Sequence, residues 1–325
     1  MVLILNREDV KSVLNMRDCM EAVESAFAEL ARGTADLPLR VNIKPPDGLS
    51  LYMPAYLKKM EALACKVVTV YKNNPVNFNL PVIFGKVLLQ DPRTGDVTCI
   101  MDGGYLTAVR TGAASGVATR YLAREEKNMT AGIFGAGVQA RTQLLAVAAA
   151  RDISRAYIFD SAAGAADRLA SELRSQVDFD IIRADSPEIL LESDIICTAT
   201  SSPDPLFDGQ AVRPGTHING IGSHTPNARE LDTAIIKRSK LVGDSREACF
   251  QEAGDVIIPL REGAIQESHF YAELGEIVIG KKPGRTDDGE ITLFKSNGLA
   301  IQDAAAAHLV YQQAVKAGIG TRVEM

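Results

Sequence analysis

Gly132-Ile133-Phe134-Gly135-Ala136-Gly137-Val138-Gln139-Ala140 is the stretch whose reading decides the fold. Met129 to Phe134 is a short apolar run that reads as a strand, and Gln139 to Ala150 reads as a helix. Gly135 and Gly137 therefore stand where a strand turns tightly into a helix. Glycines at such a turn let the backbone approach a pyrophosphate, whose charge the helix N-terminus stabilises, and Ala140 takes the third small position. Gly-x-Gly-x-x-Ala alone is weak, since turns use glycine freely. The context supplies the specificity: Asp160 ends the next strand, 25 positions past Gly135. A carboxylate there accepts from adenosine ribose hydroxyls and repels a 2′-phosphate, and Ser161 and Ala162 offer no Arg to bind one. This points to NAD(H) rather than NADP, with capping of a helix as the plainer role for Asp160.

Working outward toward the C-terminus, Ala156 to Asp160 reads as a strand, Ala162 to Leu173 as a helix, and Asp180 to Ile182, Asp194 to Thr198 and Thr216 to Ile221 as further short apolar runs. Strands alternating with helices at this spacing indicate βαβ units, hence a doubly wound parallel sheet with helices on both faces. Ligands bind outside the carboxyl ends of strands in such sheets. The loops Thr198-Ala199-Thr200-Ser201-Ser202 and Asn219-Gly220-Ile221-Gly222-Ser223-His224 are expected there, lining the nicotinamide half of a dinucleotide site.

Toward the N-terminus the character differs. Asn6 can cap a short helix to about Asn15, and Met20, Val23, Phe27 and Leu30 keep helical spacing until Gly33. Leu63 to Tyr71 and Val82 to Gln90 read as strands, the second joined through Asp91-Pro92-Arg93-Thr94-Gly95 to Val97 to Met101. A helix rich in small residues runs from about Leu106 to Ala123, before the polar Glu125-Glu126-Lys127-Asn128. The tail, Gly298 to Gly318, reads as an Ala-rich helix. Three basic residues sit in apolar or small surroundings: Arg40, Lys66 and Arg110. Cations so placed need anionic partners. An Arg can grip a carboxylate through two bonds, and a desolvated Lys can give up its proton. Each is also readable as a structural ion pair, and spacing does not choose among them.

The chain has 325 residues, with 35 Lys+Arg against 41 Asp+Glu, so 35 − 41 = −6. Such a chain lacks the field that holds phosphate backbones, and nucleic acid is not expected as a partner. The longest wholly apolar run, Leu144 to Ala150, is far short of the ~18 residues of a membrane span. Met1 to Leu5 is followed at once by Asn6, Arg7, Glu8 and Asp9, unlike a secretory signal, so a cytoplasmic protein is expected. The five cysteines are scattered and the four His are far apart, which suits reduced core thiols and no metal.

Together, Arg40, Met53-Pro54-Ala55-Tyr56, Lys66, Met101-Asp102-Gly103, Arg110-Thr111-Gly112-Ala113-Ala114, the Gly135 motif, Ile218-Asn219-Gly220-Ile221-Gly222, Arg229-Glu230-Leu231-Asp232, Gly254-Asp255-Val256, Glu273-Leu274-Gly275-Glu276 and Phe294-Lys295-Ser296 with Gly298 and Asp303 resemble the ornithine cyclodeaminase and mu-crystallin family, in order over nearly the whole chain. The resemblance implies a homodimer in which a discontinuous α+β substrate and dimerisation domain, 1–121 with 305–325, surrounds an inserted Rossmann domain, 122–304. It implies that Arg40, Lys66 and Arg110, with Met53, surround a substrate carboxylate, and that Arg110, Thr111, Gly135, Gly137, Val138, Gln139, Asp160, Thr198, Thr200, Ile221, Ser223 and Lys295 meet the cofactor. Cyclodeaminases and the archaeal-type alanine dehydrogenase of the family carry an Asp where this chain has His224, ketimine reductases lack it, and cyclodeaminases also carry a Glu before the Met-Pro pair where this chain has Leu51-Tyr52. A pocket without these carboxylates is poorly equipped for a diamino acid.

The expected activity is an NAD(H)-dependent oxidoreductase acting on the carbon–nitrogen bond of a small 2-imino or 2-amino acid, either a cyclic imine such as 1-pyrroline-2-carboxylate or alanine. Lys66 or His224 would handle the proton. The alternatives are ornithine cyclisation to proline with NAD recycled, and a crystallin-like NAD(P)H-binding protein without turnover.

Overall fold

The computed structural model describes residues 1–324, which fall into two units: Met1–Arg110 with the chain from Leu299 onward, and Thr111–Gly298. In chain order the elements are β1 (Val2–Leu5), α1 (Arg7–Val13), α2 (Met16–Ala31), β2 (Ala35–Asp36), β3 (Val41–Ile43), β4 (Leu49–Leu57), β5 (Ala62–Val70), α3 (Asn74–Phe78), β6 (Ile83–Gln90), β7 (Val97–Asp102) and α4 (Gly103–Leu122). Then follow β8 (Met129–Phe134), α5 (Val138–Ala150), β9 (Ile153–Phe159), α6 (Ala165–Leu173), β10 (Asp180–Arg183), β11 (Ile195–Thr198), β12 (His217–Gly220), α7 (Thr233–Arg238), β13 (Ser239–Gly243), α8 (Arg246–Glu252), α9 (Gly254–Arg261), β14 (Phe270–Glu273), α10 (Leu274–Val278) and β15 (Ile291–Lys295). The chain closes with α11 (Ala300–Ala317) and β16 (Thr321–Val323).

In the first unit the strands run in the order β16-β1-β7-β6-β5-β4-β2, with β3 also on β4. Asn6 caps α1 through a capping box with Asp9, as its residue type favours. β4 is one of several strands that sequence reading passed over, with β1, β2, β3, β13, β14, β15 and β16, and Pro54 interrupts it. Along the outer edge of β4, β3 pairs with Ser50 to Tyr52 and β2 with Tyr56 and Leu57. Pro54 falls in the gap between them, where a missing N–H costs that edge no ladder bond. Register places Met53, Lys66, Val87 and Met101 in one row across β4 to β7, on the buried face. α11 packs over β4, β5, β6 and α2, and its alanines allow the close approach.

The second unit is an all-parallel sheet in the order β10-β9-β8-β11-β12-β15-β13-β14. This is the expected doubly wound α/β sheet, with its strand order reversing between β8 and β11. Gly112 in α4 explains one use of that helix's small residues: a Cβ there would meet the Thr142 carbonyl oxygen of α5 at 2.5 Å. The division between units falls after Arg110, within α4, and after Gly298, ahead of α11. The polar Glu125 to Asn128 stretch is thus a loop inside the second unit, and a cut at 304 would sever α11. Among the described residues no helix is long and apolar enough to cross a membrane.

Candidate active site

In the first unit, the antiparallel register that aims Lys66 at the helical layer sets it against Asp303 in the first turn of α11. Lys66 Nζ lies 2.7 Å from Asp303 Oδ2, and Arg110 Nε donates to Asp303 Oδ1 at 2.9 Å. Arg110 Nη1 donates to Gln302 Oε1 at 2.7 Å. All four side chains are buried. The positive end of α11 and the two cations surround the Asp303 carboxylate with favourable charge. Burial, with the like charges of Arg110 and Arg40 and against the attraction of Asp303, brings Lys66 down to about 8. Lys66 is therefore poised to exchange a proton near neutral pH. Met53 is its cross-strand neighbour and contributes an apolar wall, while Arg40 is half-buried on the segment before β3.

In the second unit, register aligns Phe134, Phe159, Thr198, Gly220 and Lys295 at the carboxyl ends of β8, β9, β11, β12 and β15. The loops that follow share that edge. Gly135 has φ +98, and a Cβ on it would lie 2.6 Å from the Ala199 carbonyl oxygen, so only glycine fits. Gly137 is the N-cap of α5 and no side chain caps it, which leaves the first-turn N–H groups of Val138 and Gln139 to an anion. Asp160 Oδ2 accepts from Ala136 N–H and Oδ1 from Ala162 N–H, each at 2.7 Å. Both oxygens keep a lone pair for a ribose diol, so the edge fits an adenine dinucleotide. Thr111, at the start of this unit, is buried in α4, and its carbonyl oxygen accepts from Gln143 Nε2 at 3.5 Å.

Several expected cofactor contacts are placed differently. The Lys295 side chain is wholly buried: Nζ lies 2.9 Å from Asp255 Oδ2 and donates to the Gly220 carbonyl at 3.2 Å. Burial alone would lower it, but Asp255 and Glu230 outweigh that and raise it. It supports the sheet edge and has no side-chain face for a ligand. The Ser223 hydroxyl donates to Ala228 O, and Ile221 is buried. The hydroxyls of Thr198 and Thr200 both donate to Glu230. What these loops offer a ligand is therefore backbone. His224 is exposed, and its Nδ1 donates to the Gly222 carbonyl at 2.9 Å, which leaves Nε2 without a protein partner among the described residues.

Two organising carboxylates were not singled out from the sequence as site residues. One is Asp303. The other is Glu230, which takes four donors at 2.7 Å each: the Thr198 hydroxyl and Gly222 N–H on Oε2, and the N–H and hydroxyl of Thr200 on Oε1. Asp255 Oδ1 in turn accepts from the N–H groups of Glu230 and Leu231 at 2.8 and 3.0 Å. A buried Glu–Lys–Asp group thereby ties the loops after β11 and β12 together. The only local signal was a charged pair inside Arg229-Glu230-Leu231-Asp232.

This arrangement has counterparts of known activity. The chain is 36% identical over 327 residues to a Delta(1)-pyrroline-2-carboxylate reductase of Bacillus cereus, covering 99% of this chain and 100% of that protein. It is 36% identical over 323 residues to an alanine dehydrogenase of Archaeoglobus fulgidus, covering 99% and 98%. Among solved structures, the Thermococcus litoralis Delta(1)-pyrroline-2-carboxylate reductase in complex with NADH and L-proline superposes with a TM-score of 0.94 at 47% identity, covering 99% of this chain and 100% of that one. With the family profile matching residues 2–318, the dinucleotide edge and the Lys66–Asp303–Arg110 cluster belong to a member of the ornithine cyclodeaminase/mu-crystallin family.

Proposed function

We propose that the chain reduces a small cyclic 2-imino acid with NADH: 1-pyrroline-2-carboxylate, NADH and a proton give L-proline and NAD+. The observation that carries this reading is the buried Lys66, lowered to about 8 and held by Asp303 beside Arg110. NADH supplies the hydride to C2. Arg110 and Arg40 bind the substrate carboxylate and fix its orientation, which removes much of the entropic barrier to reaction. Met53 packs against the apolar ring. Lys66, close to Asp303 and brought down to about 8, delivers the proton to the imine nitrogen. Gly135, Gly137, Val138 and Gln139 receive the pyrophosphate, Asp160 the adenosine ribose, and Thr111 and the backbones of 198–200 and 221–223 the remainder of the cofactor.

The reading is supported by the names of the relatives and by the absence of a carboxylate at position 224. Consumption of NADH with 1-pyrroline-2-carboxylate, followed at 340 nm (roughly the NADH absorbance maximum), is the test. Oxidation of NADH only with pyruvate and ammonia would instead make it an alanine dehydrogenase. Proline formed from ornithine without net NADH change would overturn the reductase reading.

We also infer that two copies associate. On the sheet face opposite α11, register sets Ile43 in one row with Ser50, Thr69 and Phe84, and Val41 in the next row with Tyr52 and Val67. Val41, Ile43, Tyr52 and Phe84 are exposed there. Exposed apolar side chains gathered on one sheet face mark an interface. The five unpaired thiols suit work in the reducing cytoplasm.

A further inference from the structure

Gln302 precedes Asp303 in the first turn of α11 and is wholly buried. Its Oε1 accepts from Arg110, while its Nε2 is buried without a hydrogen-bond partner. Glutamate would suit Arg110 better on both counts. It would make a charge-assisted bond roughly twice as strong as a neutral one, and it would leave no N–H group unsatisfied. The amide leaves one N–H group unsatisfied, and what it preserves is charge. Lys66 and Arg110 bring two positive charges against one on Asp303, and Arg40 faces Lys66 as well, so the cluster is left net positive. A carboxylate at 302 would lower that excess by one charge.

We propose that Gln302 is a specificity-determining and positioning residue, which orients Arg110 while keeping the positive excess of the cluster for a small monocarboxylate substrate. Breaking a local pairing rule at a buried site is where function is expected to show. The groups facing Lys66 are Asp303 of α11, Arg110 of α4 and Arg40 before β3; Cys19 of α2, which lies near Arg110 and Asp303, is pushed by burial up to about 12 and stays neutral. The ionisation of a carboxylate at 302 would be favoured by Arg110 at hydrogen-bond distance.

The proposal rests on the first unit's cluster being the substrate site, and its test keeps the two separate. Gln302→Glu and Gln302→Leu are compared with the unaltered protein for binding of pyrrole-2-carboxylate, an anionic ring without a basic nitrogen, by calorimetry in the presence of NADH. Gln302→Glu is expected to weaken binding by about tenfold or more, with an unchanged or raised melting temperature. It also moves the alkaline limb of the pH–rate profile upward by about one unit, because the added negative charge favours the Lys66 ammonium. Gln302→Leu is expected to lose less affinity and to leave the limb in place. Unweakened binding in Gln302→Glu, an equal loss in both variants, or a fall in melting temperature that parallels the loss in Gln302→Glu would overturn it. Failure of the unaltered protein to reduce any imino acid, with the binding difference intact, would sink the proposed reaction and spare the role of Gln302.

Discussion

Lys66 Nζ lies 2.7 Å from Asp303 Oδ2, across 237 residues of chain, and both side chains are all but excluded from solvent. The same carboxylate holds Arg110, so one aspartate sets the spacing of two cations. Replacing Lys66 with Met is expected to lower turnover at least about a hundredfold while NADH binding, read by fluorescence, stays intact. Asp303→Asn leaves two buried like charges unshielded. It should cost about 3–5 kcal/mol in a denaturant melt and lower turnover as well. Full activity in Lys66→Met would refute its role as proton donor.

The pH dependence follows from the sign of the Lys66 shift. With its ammonium released near about 8 rather than 10.5, imine reduction should fall as pH rises through about 8, and oxidation of L-proline should rise over the same range. Between about 8 and 10.5 the unfolded chain binds the extra proton, so Lys66 makes stability increase with pH across that window. Below about 8 both states are protonated and the cost of burying the charge is borne in full. The Lys66→Met variant should lose this limb in both measurements.

Glu230 holds two loops from opposite oxygens, Thr200 N–H on Oε1 and Gly222 N–H on Oε2. An amide therefore cannot satisfy both: whichever way it sits, one backbone N–H meets an NH2 group. Glu230→Gln is expected to destabilise the protein by roughly 1–3 kcal/mol and to weaken NADH binding several-fold. Equal NADH affinity, measured by fluorescence titration, would show that the loops do not need this clasp.

Asp160 meets two backbone N–H groups and, in the proposed site, the adenosine ribose. Asp160→Ser removes the charge that repels a 2′-phosphate. The ratio of kcat/KM with NADH to that with NADPH should drop by about tenfold or more. A ratio unmoved by the substitution would remove Asp160 from cofactor selection.

The exposed row containing Ile43 and Phe84 predicts the oligomeric state. The unaltered protein should run as a dimer in light scattering, and Ile43→Arg with Phe84→Arg should shift it toward monomer. A monomer before substitution would dismiss the interface.

Much of the architecture is legible locally. Asn6 with Asp9 announces α1, the β8–Gly135–α5 turn announces the dinucleotide sheet, and the alternation that follows announces its parallel strands. Pro54 hid β4, because a proline argues against a strand until the neighbours that leave its edge unpaired are known. The place of β15 between β12 and β13 was equally hidden, since no local pattern encodes strand order. The family resemblance put Lys295 at the cofactor, and its burial against Asp255 depends on that strand placement.

The sequence by itself determined the turn at Gly135 and Gly137, the acidic strand end at Asp160 and three cations with apolar or small neighbours along the chain, because backbone conformation at a turn is dictated within a few residues. Only the tertiary structure decided what those cations face. Arg110 and Asp303 are 193 residues apart, and Glu230 stands 32 residues from Thr198. Such pairs form when sheets and helices pack and water leaves, and that long-range exclusion of solvent turns an ordinary lysine into one that titrates near about 8.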